Sequence, residues 1–302
     1  MEQKANDRRS VLMMVTSMLV FGTIGVFRRY IPVSSGFLAF SRGILGGLCI
    51  LAFLRLAKRK AGEKLPSRVL PVLVLSGALI GINWILLFEA YNHTTVAVAT
   101  LCYYMQPTIV MLLSPVIFRE RLTGKKTACA AVAIVGMVLV SGVLGDGGTG
   151  GGDFRGVALG LGAALFYSAV VILNNKITGI DACRKTMIQL FSTGLVMVPY
   201  LLITGGFTAE GLPPAAVGLL LVVGIVHTGI AYVLYFGSMD GLRVQSVALL
   251  SYIDPVSALL FSALLLREPL SLPGIIGAVM IIGSAIVSEL KKTDSPSEPD
   301  AQ

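Results

Sequence analysis

The chain has 302 residues, 55% of them hydrophobic and 13% charged, with a formal net charge of +8. A water-soluble domain carries about 25% charged residues to build its polar shell, so this composition excludes one. Residues 127–145 hold no Asp, Glu, Lys or Arg. An apolar run of about 20 residues matches the hydrocarbon thickness of a bilayer, where the backbone must be helical to satisfy its own N–H and C=O groups.

In chain order, residues 1–10 carry Lys4, Arg8 and Arg9 ahead of an apolar run. No small-residue cleavage site follows, so the run reads as an uncleaved first span rather than a leader. Breaks at charges, Gly and Pro then predict ten helices, over 10–28, 35–55, 69–91, 95–118, 124–144, 154–176, 184–204, 213–237, 245–266 and 272–290. Six glycines between Leu144 and Asp153 mark 144–153 as a flexible external linker. Residues 291–302, TDSPSEPDAQ after two lysines, read as a disordered cytoplasmic tail.

The basic residues sort by side. Of the 24, only Arg28, Arg29, Arg155 and Arg267 fall opposite the N-terminus, and Arg42 falls inside the second span. The positive-inside rule then puts both termini in the cytoplasm of a multi-pass inner-membrane protein. The positive charge is accordingly a topology signal, and no nucleic-acid partner is expected. Cys49, Cys102, Cys129 and Cys183 are far apart with no CxxC, and read as reduced structural thiols rather than a metal site.

The chain also repeats itself at an offset near 148. Residues 104–122 read YMQPTIVMLLSPVIFRERL and residues 252–270 read YIDPVSALLFSALLLREPL, with 7 of 19 positions identical. Tyr104/Tyr252, Pro107/Pro255, Arg119/Arg267 and Glu120/Glu268 are among them. Each half, 11–143 and 154–290, holds five spans, an odd number, so the second half enters the membrane inverted. The predicted fold class is an all-α membrane protein of ten transmembrane helices arranged as a 5+5 inverted-topology repeat. Such repeats expose one central site to each side in turn.

With this repeat and the Pro-x12-Glu-x-Leu signature at Pro107, Glu120, Leu122 and again at Pro255, Glu268, Leu270, the chain resembles the EamA type of the drug/metabolite transporter superfamily. The likeness runs over about residues 11–290. It implies a plasma-membrane exporter or permease for amino acids, other metabolites or drugs. The second half has Gln189 where the first has Arg42, so any role of that arginine belongs to the first half.

Candidate site residues follow from depth. Gln106-Pro107 and Asp254-Pro255 each lie about ten residues into their spans, and each proline is expected to kink its helix and free a carbonyl, of Tyr103 or Ser251. Asp254 is an acid near the midplane, a position that ionisable residues occupy when they face a cavity or a partner. Either a cationic ligand or a proton suits it. The expected substrate-binding set is Asn83, Trp84, Tyr103, Gln106, His227, Ser251, Tyr252 and Asp254. Glu89 and Arg42 are candidate coupling or vestibule groups. Glu89 is placed to pair with Arg28, Arg29 or Arg42, and Arg42 lies close enough to the outer surface to snorkel. Glu120 and Glu268 are expected to fix loops or cap the next helix. Gly43/Gly47, Gly77/Gly81 and Gly156/Gly160 allow close helix approach.

No P-loop, HExxH, nucleophile elbow or dinucleotide fingerprint stands out, so no cofactor or ATP drive is expected and the partners are a small-molecule substrate, the bilayer, and a proton or other coupling ion. Two other classes fit less of the sequence. An intramembrane lipid-modifying enzyme needs a catalytic cluster at one depth, where only His227 and Asp254 come near. A non-transporting partner subunit needs no central site.

Overall fold

The computed structural model describes residues 2–57, 66–117, 123–140, 154–175, 177, 179–207, 212–239, 242, 247 and 250–289. The expected linker 144–153, the tail 291–302 and the Arg119-Glu120-Leu122 end of the first signature lie outside them. The described residues contain no strand. They form α1 (Glu2–Gly22), α2 (Ile24–Arg29), α3 (Ser35–Leu56), α4 (Val69–His93), α5 (Val96–Tyr103), α6 (Gln106–Ile117) and α7 (Gly124–Val140). After these come α8 (Phe154–Asn175), α9 (Ala182–Thr204), α10 (Pro214–Gly224), a π-helical turn (Ile225–Ile230), α11 (Ala231–Met239), α12 (Ile253–Leu265) and α13 (Leu272–Glu289).

Among the described residues, seven stretches are long and apolar enough to cross a membrane: Arg8–Arg29, Ser35–Leu56, Val69–His93, Val96–Leu113, Phe154–Asn174, Ala182–Thr204 and Pro214–Met239. Ile253–Leu265 and Leu272–Val287 are shorter apolar helices. The chain is thus a multi-span helical membrane protein. Local signals set the ends. The Ser34 hydroxyl accepts from Phe37 N at 3.1 Å to start α3, and Thr95 accepts from Val98 N at 3.1 Å to start α5. Gly205, at φ 64°, closes α9 in the left-handed conformation that glycine adopts without strain.

The prolines act differently from expectation. Pro107 and Pro255 do not kink a continuous helix. They fall in the first turns of α6 and α12, where a backbone N–H has no intrahelical partner to lose. The first of the expected spans is likewise split at Thr23, and the eighth carries the π turn.

In lipid, helices associate by close packing and interhelical hydrogen bonds rather than by a hydrophobic drive. A close seam joins α3 and α4 to α9. A Cβ on Gly43 would stand 2.7 Å from Leu190 O, and one on Gly77 would stand 2.5 Å from Gln189 O. Buried hydrogen bonds thread the same seam: Gln189 Nε2 donates to Ser76 Oγ at 2.6 Å and to Asn174 Oδ1 at 2.7 Å, and Thr193 Oγ1 donates to Gly77 O at 2.7 Å. Elsewhere α4 packs on α8, α1 on α11 and α12, α5 and α6 on α8, and α7 on α13.

Candidate functional site

The breaks in the helices surround a cavity of about 510 Å3. Gly22, Ile24 and Gly25 line it from the α1/α2 break; Tyr103, Tyr104 and Gln106 from the α5/α6 break; Tyr232 from just after the π turn; Ser251, Tyr252 and Asp254 from the start of α12. Interrupted helices beside a cavity leave backbone groups that protein or ligand must satisfy, which is how polar sites are built at membrane depth.

The wall is dominated by tyrosine. Tyr91, Tyr103, Tyr104, Tyr167, Tyr232, Tyr235 and Tyr252 all line it, seven of the nine in the chain. Tyr103 meets Tyr104 edge-on at 5.6 Å and Tyr167 at 5.5 Å, while Tyr232 stacks on Phe236 at 5.9 Å. Such rings offer an apolar face and a hydrogen-bonding tip together.

Two charged side chains share the space. The Asp254 carboxylate accepts a hydrogen bond from the Tyr104 hydroxyl, across from α12 to the α5/α6 break. Arg42 is the eighth residue of α3 and is only 3% exposed. Its guanidinium lies 4.0 Å over the Trp84 ring and 5.2 Å from Phe88, and its Nε donates to Thr228 Oγ1 at 2.9 Å. Arg42 therefore points inward and does not snorkel. Among the described residues it forms no ion pair with Asp254.

The structure brings Trp84, Tyr103, Gln106, Ser251, Tyr252, Asp254 and Arg42 together in one wall. Asn83 and His227 are not in it. Asn83 faces α8 instead, fully buried, its Nδ2 donating to Ala163 O at 2.6 Å. His227 is buried against Phe27, with ring centroids 4.5 Å apart, and its Nε2 lies 2.8 Å from Thr23 Oγ1. Glu89 also lies outside the wall and contacts none of the three proposed arginines directly. It accepts from Ser35 Oγ at 2.8 Å and Asn92 Nδ2 at 3.1 Å, and sits 3.5 Å from His93 Nε2. Arg28 reaches it only through Ser35, at 3.4 Å.

Beyond one end of the cavity lies a polar clasp. Glu268 Oε1 pairs with Arg29 at 3.0 Å, while Oε2 accepts from Val96 N at 2.8 Å and from the Ser262 hydroxyl. Arg29 also donates to Thr94 O at 2.8 Å. Glu268 thus caps α5, a helix of the other half of the sequence rather than the next one. Arg29, Val96 and Ser262 each lie four residues beyond a wall residue, Gly25, Thr100 and Ala258, so the clasp sits about one helical turn past the cavity on three helices. Its backbone turn places Arg267, a non-glycine residue, at φ 54°.

The EamA-like transporter family matches the chain twice, over residues 8–142 and 154–289. The uncharacterized transporter YxxF of Bacillus subtilis (strain 168) is 27% identical over 287 residues, 94% of this chain and 90% of that protein. The uncharacterized inner membrane transporter YicL of Salmonella typhimurium (strain LT2) is 25% identical, over 94% of this chain and 96% of its own length. A solved crystal structure, 22% identical in sequence, superposes with a TM-score of 0.64 and covers 93% of this chain and 98% of its own, which places the two in one fold. Matched along nearly its whole length, the chain belongs to the EamA-like transporter family and is a multi-span membrane transporter.

Proposed function

We propose that the chain is a secondary transporter that exports small metabolites, amino acids or drugs by alternating access around the tyrosine-walled cavity. The carrying observation is the cavity itself. Both halves wall it, at helix interruptions, and it holds an acid and an arginine that do not neutralise each other. A cavity needed only for packing would pair or exclude such charges, because unpaired ions are costly at membrane depth.

The two halves, 11–143 and 154–290, are read as an inverted repeat. The family matches each half separately, and the packing is reciprocal: α4 on α8 answers α1 on α11, and α5–α6 on α8 answers α1 on α12. Under that topology both termini are cytoplasmic and the Glu268 clasp closes the external end. Asn174 and Met239, which line the other end, face the cytoplasm. Asp254 is the group that exchanges a proton with, or binds a cationic part of, the cargo.

The test is flux of a small-molecule panel into proteoliposomes, with and without a pH gradient. Saturable flux of at least one compound, lost with the gradient, is expected; leak-level flux for the whole panel would overturn the reading. Topology is checked separately by single cysteines in a background lacking the four native ones. Tyr30→Cys should react with an impermeant reagent from outside and Leu56→Cys should not, both positions being exposed, at 58% and 83%. The opposite pattern would reverse the orientation.

A further inference from the structure

We infer that Arg42 forms an anion subsite of the cavity, binding a carboxylate of the ligand through Nη1 and Nη2. The inference deepens the reading of the cavity as a ligand site and rests on it.

The geometry leaves one edge of the guanidinium available. Nε is taken by Thr228 at 2.9 Å, and one face is covered by Trp84 at 4.0 Å. Nη1 and Nη2 make no hydrogen bond to any described residue, although the side chain is nine-tenths buried and lines the cavity. That free edge is the one that matches a carboxylate with two parallel N–H···O bonds. Trp84 fixes the plane of the group and Thr228 fixes its rotation within the plane, so the fork is aimed before a ligand arrives.

Thr228 is available for this because of the π turn. Its hydroxyl donates to Val223 O, five residues back, at 3.0 Å. In an ordinary helix a threonine hydroxyl back-bonds three or four residues away. The wider turn leaves an Oγ1 lone pair directed at α3, where Arg42 meets it.

Packing alone does not call for the charge. In the sequence repeat Gln189 stands where Arg42 does, and there a neutral amide is satisfied by Ser76 and Asn174. No acid holds Arg42 either. Asp254 is taken by Tyr104, and Glu89 by Ser35 and Asn92. A buried cation without a countercharge is expensive unless a partner completes it, and a ligand oxyanion supplies that partner.

Trp84 is the only tryptophan in the chain, so its emission reports directly on the neighbouring guanidinium. The purified full chain is titrated, at constant ionic strength, with acetate, benzoate and 3-phenylpropanoate, each against its neutral amide. At least one carboxylate should change Trp84 emission at a concentration about tenfold or more below its amide, the ratio expected for hydrogen bonds to a charged group. The preference should vanish in Arg42→Gln and weaken in Arg42→Lys, which keeps the charge without the fork. Thr228→Val should reduce it and Thr228→Ser should preserve it, which keeps the test alive if Arg42→Gln does not fold. Equal response to acid and amide in all three pairs overturns the inference, as does a preference that survives Arg42→Gln. Carboxylate preference without flux of any bound compound would leave the subsite standing and remove the transport reading; flux without the preference would do the reverse.

Discussion

At the clasp, Arg29 and Glu268 meet at 3.0 Å, and their remaining capacity is filled by Thr94 O, Val96 N and Ser262. Further in, Asp254 of α12 and Arg42 of α3 share a cavity without touching. The first arrangement is closed: each charge has its partner within the protein, on ends of helices that meet there. The second is open, with one carboxylate held by a single phenol and a guanidinium with two nitrogens uncommitted. Charges that answer one another lock elements together; charges left unanswered in a low-dielectric cavity call for something that enters it. The difference separates a latch from a site, on three helices common to both.

The open arrangement breaks most completely at Asp254. Asp254→Asn keeps the shape and can still accept from Tyr104, but it removes the charge and the exchangeable proton. Flux in proteoliposomes should fall by at least tenfold, or lose its dependence on the pH gradient, at equal membrane abundance. Unchanged flux with unchanged pH dependence would remove Asp254 from the mechanism and leave Glu89 as the next acid to test.

The seam between halves supports both regions. An alanine at Gly43 would press on Leu190 O at 2.7 Å and Gly194 N at 2.8 Å, both backbone atoms that cannot yield. Gly43→Ala should destabilise the protein by about 1–3 kcal/mol, the usual range for overpacking. Gly218→Ala, with nothing within 4 Å, should leave it unchanged. Thermal unfolding of the two variants in one detergent decides it, and equal midpoints would mean that the close approach is not a constraint.

A smaller effect is expected at the latch. Glu268→Gln retains an acceptor for Val96 N and loses the charge facing Arg29, whose side chain is 34% exposed, so screening reduces the loss. The external end should loosen. In a background lacking native cysteines, Thr100→Cys should react with an impermeant thiol reagent from outside about threefold faster when Glu268→Gln is added, roughly 0.7 kcal/mol by the thermal-energy conversion. Slower or unaltered labelling would show that the clasp does not gate that end.

Position along a helix was legible in the sequence and azimuth was not. Charge-free runs and proline positions located the helices and placed Trp84, Tyr103, Gln106, Ser251, Tyr252 and Asp254 at the level of the cavity, where the structure puts them. Sequence position alone groups Asn83 with Trp84. Consecutive residues of an α-helix point about 100° apart, so one faced the cavity and the other faced Ala163. His227 falls outside the wall for a related reason: a π turn rotates the residues around it out of the 3.6 period, and nothing in the string IVHTGI announces one. Arg42 looked like a snorkelling residue because a cation near a span end usually is, and the Trp84 face that holds it comes from a different helix. The tyrosines carry a further signal. Seven of nine line the cavity, and five of those, Tyr103, Tyr104, Tyr167, Tyr232 and Tyr252, fall inside the expected spans rather than at span ends, where membrane tyrosines gather.

A last expected effect, between those at Asp254 and at the clasp, sharpens the contrast at one bond. Tyr104 and Tyr252 occupy the same place in the sequence repeat, yet the Tyr104 hydroxyl reaches across the halves to the Asp254 carboxylate. Tyr104→Phe keeps the ring that meets Tyr103 at 5.6 Å and removes only the donor. Packing should survive, because the volume is nearly conserved and the side chain borders open space rather than a filled core. The carboxylate would then face the cavity with no protein donor among those described, and its bonding would fall to water or ligand. A hydrogen bond exchanged for solvent contributes about 1 kcal/mol net. Flux should accordingly drop by only about fivefold, with the thermal midpoint close to that of the parent, in contrast to the loss in Asp254→Asn. A Tyr104→Phe variant as inactive as Asp254→Asn would mean that the phenol is itself part of the proton or ligand path. One with full flux would mean that the cavity holds Asp254 in place without it, and that the bond across the halves belongs with the closed contacts of the clasp.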